Sequence, residues 1–123
     1  MLTVGEQALG ELTPAVMRVV SIFAGGLAGS REELCGALSS GAMIIGMLYG
    51  RSNLTEDEQL ARRLVQDYRK RFVAEFGTTI CRPLRERFCG PEGKATCAPL
   101  VERAALMLQE LLAEAQEANK AAP

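Results

Sequence analysis

Apolar residues recur along this chain at helical rather than strand spacing. The clearest stripe is Leu60, Leu64, Tyr68, Phe72 and Phe76, one every four residues, with Arg62, Arg63, Arg69 and Lys70 on the other faces. This is the pattern of an amphipathic helix with one buried side. Thr55-x-x-Glu58 ahead of it has the form of a capping box, and Gly77 behind it supplies a stop. Upstream, Thr13-Pro14 pairs an N-cap residue with the residue best suited to the first helical position. The helix it predicts carries Val16, Met17, Val19, Val20 and Phe23 toward a core and stops at Gly25-Gly26. A second box, Ser30-x-x-Glu33, predicts a helix from Arg31 to about Tyr49, broken at Gly50. The last helix is expected from near Pro99 to about Asn119, with Leu100, Ala104, Met107, Leu108, Leu111 and Leu112 inward and a frayed tail beyond.

Between these elements, residues 78–98 are rich in turn signals: Pro83, Gly90-Pro91, Gly93 and Pro99. No segment sustains the period-two alternation of a strand. The pattern therefore predicts an all-α fold, a compact bundle of about four main helices with an irregular Cys-containing segment before the last. It forms a single domain over residues 1–123, without internal repeat or linker.

The second predicted helix is unusual in its small residues. Residues 34–50 carry no charge over 17 positions, fewer than the ~20 apolar residues of a membrane span. The run is diluted by Gly36, Ser39, Ser40, Gly41 and Gly46, so a buried helix fits it better than a span. Each interior glycine costs about 1 kcal/mol relative to alanine, which calls for a close approach to the backbone. Cys35, Ser39, Ala42 and Gly46 share one face. Two readings stay open: tight helix packing, within the chain or across a homodimer, and a pocket beside Cys35 in which Gly36, Ser39 and Gly41 make room for a cofactor or a second thiol.

Composition narrows the chemistry. The chain has 14 Lys+Arg, 15 Asp+Glu, no His, no Trp and four Cys. Without imidazole there is no Ser-His-Asp or Cys-His nucleophile, no His-bearing zinc site and no CxxCH attachment for haem c. A net charge of −1 speaks against nucleic acid as a partner. Glu6 and Glu11 interrupt any secretory h-region, so the cytoplasm is the expected compartment, where thiols stay reduced unless catalytic or metal-bound. The run Arg69-Lys70-Arg71 reads as a solvated helix face.

The four thiols, Cys35, Cys81, Cys89 and Cys97, carry the remaining information. Seven residues separate Cys81 from Cys89, and seven separate Cys89 from Cys97. This is neither CxxC nor a zinc ribbon, yet ligands spread over loops and a helix end can converge. Cys97 stands at the start of the last helix, where unpaired N–H groups favour a thiolate. Cys35 gets a smaller version of that effect, and Arg82, Arg85 and Arg87 flank Cys81 and Cys89. Buried filler, thiol redox chemistry and iron–sulfur ligation are the competing roles.

The runs Cys35-Gly36-Ala37-Leu38-Ser39, Gly41-Ala42-Met43 and Gly46-Met47-Leu48-Tyr49-Gly50 resemble the small redox-active proteins named for the C-GCAxxG-C-C cysteine pattern. So do Phe76-Gly77-Thr78-Thr79-Ile80-Cys81-Arg82 and Cys97 with Leu100-Val101 and Ala104-Ala105. The resemblance runs from about Val16 to Leu112. It implies an all-helical redox domain, related to a domain of split-Soret cytochromes, that holds an iron–sulfur centre. Cys35, Cys81 and Cys97 match its cysteine positions; Cys89 does not. This chain has Ser40 where the family has Gly, and no cysteine near Leu12-Thr13 where the family carries one in its first helix.

The expectation is a small cytoplasmic redox or electron-transfer protein, an oxidoreductase or an electron carrier working with a redox partner protein. In its iron–sulfur form Cys35, Cys81, Cys89 and Cys97 are the metal ligands. In its dithiol form Cys97 is the nucleophile and Cys35 or Cys81 resolves it. The rival is a non-catalytic helical assembly module that dimerises through the glycine-rich helix.

Overall fold

The computed structural model describes residues 2–89 and 97–121. Its elements, in chain order, are α1 (Leu2–Leu9), α2 (Pro14–Ser21), α3 (Gly36–Tyr49), α4 (Gln59–Phe76), α5 (Cys81–Phe88) and α6 (Ala98–Ala121). The fold is all-α, as the periodicity predicts, and no strand occurs among the described residues. Helices α3, α4 and α6 pack on one another, and α1 lies against α3 and α6.

The core is the α4 stripe meeting the predicted inner face of α6. Leu64, Tyr68, Phe72 and Phe76 are buried, as are Leu100, Ala104, Met107, Leu108, Leu111 and Leu112. Fully burying side chains of this size contributes about 1.5–3 kcal/mol each. The Tyr68 hydroxyl, buried with its ring, donates to the Ala104 carbonyl at 3.1 Å, so no polar atom is stranded. Phe72, Phe76 and Phe88 follow in edge-to-face contacts. From the charge run on α4, Arg71 leaves the solvated face to bridge Asp67 and Glu114 of α6, while Arg69 and Lys70 are exposed.

Several expectations are corrected. The helix at Thr13-Pro14 forms, with the Thr13 hydroxyl accepting from the Val16 N–H, but none of its residues is buried. Val19 is 57 % exposed. The place of a fourth bundle helix belongs instead to α1, whose Val4 is buried in the core. Neither capping box forms. Thr55 bonds Asn53, and Asp57 accepts from the Gln59 N–H, so α4 starts at Gln59. Ser30 donates to the Gly26 carbonyl, and α3 starts only at Gly36, because residues 31–35 are tied by backbone hydrogen bonds to 79–82. The turn-rich segment contains a helix, α5, with Pro83 in its first turn, where a missing N–H costs nothing. The turn signals at Gly90-Pro91 and Gly93 lie outside the described residues. At the C-terminus α6 continues through Lys120 to Ala121, past the expected fraying point.

Candidate functional site

Two pairs of cysteines form at the two ends of α5. At its C-terminal end Cys89 is the C-cap residue, its N–H donating to the Arg85 carbonyl at 2.9 Å. Cys97 opens α6, its carbonyl accepting from the Val101 N–H at 2.9 Å. The two are joined in a disulfide with Cα atoms 4.8 Å apart. Cys89 is 1 % exposed, whereas Cys97 is only half-buried. The bond therefore joins a buried residue to a partly exposed one, and the partly exposed one sits at the N-terminus of a helix of 24 residues.

At the N-terminal end of α5, Cys81 is the first helical residue, and Cys35 is the N-cap of α3. Both are free and buried. They are brought together by backbone pairing: the Cys35 N–H donates to the Thr79 carbonyl at 2.7 Å and the Cys81 N–H to the Glu33 carbonyl at 2.9 Å. Leu34 and Ile80 are the opposed residues of this isolated antiparallel bridge. Burial pushes the Cys35 thiol above its ordinary value, while the N–H groups of Ala37 and Leu38 at the α3 N-terminus pull the other way. The flanking Arg82 is engaged by Glu32, and Arg87 lies over the Phe88 ring at 5.3 Å.

The four thiols are thus not gathered at one point. Cys81 and Cys89 stand at opposite ends of α5, whose eight residues rise about 12 Å at 1.5 Å each. Among the described residues no group of three or more His, Cys, Asp or Glu side chains is placed to hold a metal ion. Cys97 is bonded to Cys89 rather than to Cys35 or Cys81.

The small residues of α3 serve packing. A Cβ on Gly41 would overlap the Tyr68 ring, and one on Gly36 would press on the Phe23 carbonyl at 3.2 Å and the Ala24 Cα at 3.3 Å. Ser39 is buried with its hydroxyl donating back to the Cys35 carbonyl at 3.3 Å. A Cβ on Gly46, by contrast, would meet nothing within 4 Å. With Met43, Met47 and the aliphatic side of α2, Gly46 lines an open apolar groove of about 370 Å³.

Sequence reasoning missed the segment that covers Cys81. Residues 25–29, Gly-Gly-Leu-Ala-Gly, all have positive φ, between 51° and 76°. They form a left-handed turn. Gly26 is pressed so closely that a Cβ there would lie 2.5 Å from the Cys81 Cβ. The signal available was the glycine spacing itself, which reads as a helix stop and no more.

No helix of the described residues is long and apolar enough to cross a membrane. A family model described as "Putative redox-active protein (C_GCAxxG_C_C)" matches residues 1–111. No curated protein and no solved structure matches the chain.

Proposed function

The chain belongs to this C-GCAxxG-C-C family of redox-active proteins, and from that premise we propose that it works by thiol–disulfide exchange with Cys89 and Cys97 as the couple. The observation that carries this reading is the disulfide at the entry to α6, which joins the buried Cys89 to the partly exposed Cys97. In the reduced protein the α6 N-terminus favours the Cys97 thiolate. That thiolate attacks a disulfide of a redox partner, forming a Cys97–partner disulfide and releasing one partner thiolate. Cys89 gives its proton to solvent and attacks the Cys97 sulfur, closing Cys89–Cys97 and releasing the second partner thiolate. Two electrons pass from the protein to the partner; the reverse sequence recharges the couple from a dithiol donor. The seven residues between the two cysteines replace the short spacer of a CxxC pair.

The iron–sulfur form of the same family chemistry asks for a converging set of thiolates. The donor set here does not fit it: two sulfurs are bonded to each other, and the other two stand at the far end of α5. We therefore favour the dithiol form and route no step through a cluster. The cytoplasm suits it, since reducing partners are supplied there.

Reduced Cys89→Ser protein treated with oxidised glutathione should accumulate one glutathione adduct, located at Cys97 by mass spectrometry. Wild-type protein should pass through that adduct and end with Cys89 and Cys97 joined. An adduct on Cys35 or Cys81 instead, or equal accumulation in wild type, would overturn the assignment. Stoichiometric iron and sulfide in anaerobically purified protein, lost in Cys97→Ser, would favour the cluster.

A further inference from the structure

Cys35 and Cys81 take no part in the proposed exchange, and their geometry suits another chemistry. Leu34 opposes Ile80 in the antiparallel bridge, so Cys35 opposes Thr79 and Cys81 opposes Glu33. Side chains alternate between faces along paired backbone. Cys35 and Cys81 therefore share the face opposite Leu34 and Ile80, and both are buried there. They are diagonal rather than direct partners, a relation in which Cα atoms lie about 7–8 Å apart. A disulfide needs Cα atoms within about 7 Å. The two thiols are free, and thiolates in this diagonal relation are placed to hold one ion between them.

The ion class follows from the donors. Two thiolates with no third His, Cys, Asp or Glu gathered beside them among the described residues supply only half of the four-coordinate shell that a structural zinc takes from protein. Thiolate softness and low coordination select a monovalent soft cation. The surroundings suit it as well. The left-handed turn at Gly25 and Gly26 seals Cys81 from solvent, with Gly26 itself buried. The Ala37 and Leu38 N–H groups at the α3 N-terminus offset the negative charge of a dithiolate complex.

We propose that Cys35 and Cys81 form a second sulfur site, closed by the left-handed turn over residues 25–29, that binds a single soft monovalent cation of the copper(I) class. Binding converts two thiols and one Cu(I) into a bis-thiolate complex of charge −1 and releases two protons. The site is separate from the Cys89–Cys97 couple and does not depend on it.

The test uses the full chain with its Cys89–Cys97 disulfide intact, so that only Cys35 and Cys81 are free, titrated anaerobically with Cu(I) against a colorimetric Cu(I) chelator. The expected result is one Cu(I) per chain, with both thiols protected from alkylation. Cys35→Ser and Cys81→Ser should each weaken retention by more than the roughly 10–100-fold that outer-shell changes cost metal sites. The Cys89→Ser/Cys97→Ser double variant should bind like wild type. Unchanged retention in either single variant, or no protection of wild-type thiols from alkylation, would overturn the site. So would ready formation of a Cys35–Cys81 disulfide in the double variant under oxidised glutathione, since it would place the pair within bonding range. Circular dichroism of each variant separates ligand loss from unfolding.

Discussion

Two glycines of one helix have opposite reasons to exist. Gly41 is required because the Tyr68 ring occupies the place of its side chain; Gly41→Ala should cost about 1–3 kcal/mol, as overpacking does. Gly46 has nothing within 4 Å of a Cβ, so Gly46→Ala should stabilise by roughly 0.5–1 kcal/mol through helix propensity. Urea titration of the two variants checks both signs, and equal effects would show that the glycines are not distinguished by packing. Both glycines stand out in the sequence, but only the three-dimensional neighbour tells them apart. Burial raises the Cys35 thiol pKa, and it raises Tyr68 further. A raised folded pKa leaves stability intact below the unfolded value and removes it as pH climbs through the folded one. Stability should thus fall from about pH 9 upward. Cys35→Ser should remove the first part of that fall, as read by thermal melts across pH 8–11.

At the scale of elements, long stripes were legible and short pieces were not. The spacing of Leu64, Tyr68, Phe72 and Phe76 dictates α4, and the C-cap Gly77 at φ 89° ends it. The α6 face was equally plain. The eight-residue α5 was hidden because Pro83 reads as a turn signal, although a first-turn proline is compatible with a helix. The late start of α3 was hidden because the pairing of residues 31–35 with 79–82 is a long-range contact that outweighs the Ser30 box. The same pairing makes Cys35 an N-cap and sets it beside Cys81. The left-handed turn offers a direct test. Leu27 and Ala28 hold positive φ without being glycine, at roughly 1–2 kcal/mol each. Ala28→Gly should raise stability by up to about 1 kcal/mol. Gly26→Ala, driven against Cys81, should lower it and speed alkylation of that thiol. Slower alkylation in Gly26→Ala would show that the turn does not guard Cys81.

At the scale of the whole molecule, α5 divides the sulfur chemistry. Four cysteines without histidine were legible as the chain's candidate chemistry, and the place of Cys97 at a helix start was legible too. Their partition into pairs was not, because it depends on the length of a helix absent from the sequence pattern. The two ends of α5 differ in kind: a disulfide that ties it to α6 and a free pair tied to α3 by backbone hydrogen bonds. Closing a ring of nine residues, Cys89 through Cys97, should contribute about 2–3 kcal/mol by the chain-entropy relation. Reduction should lower the urea midpoint of wild type by a corresponding amount and leave that of Cys89→Ser unchanged. The central claim is that the redox couple is Cys89/Cys97, and equilibration in graded ratios of reduced and oxidised glutathione, quenched by alkylation and read by mass spectrometry, tests it most directly. The expected outcome is one two-electron transition assigned to Cys89 and Cys97, abolished by Cys97→Ser and kept by Cys35→Ser and Cys81→Ser. A transition that survives Cys97→Ser and disappears with Cys35→Ser or Cys81→Ser would contradict it.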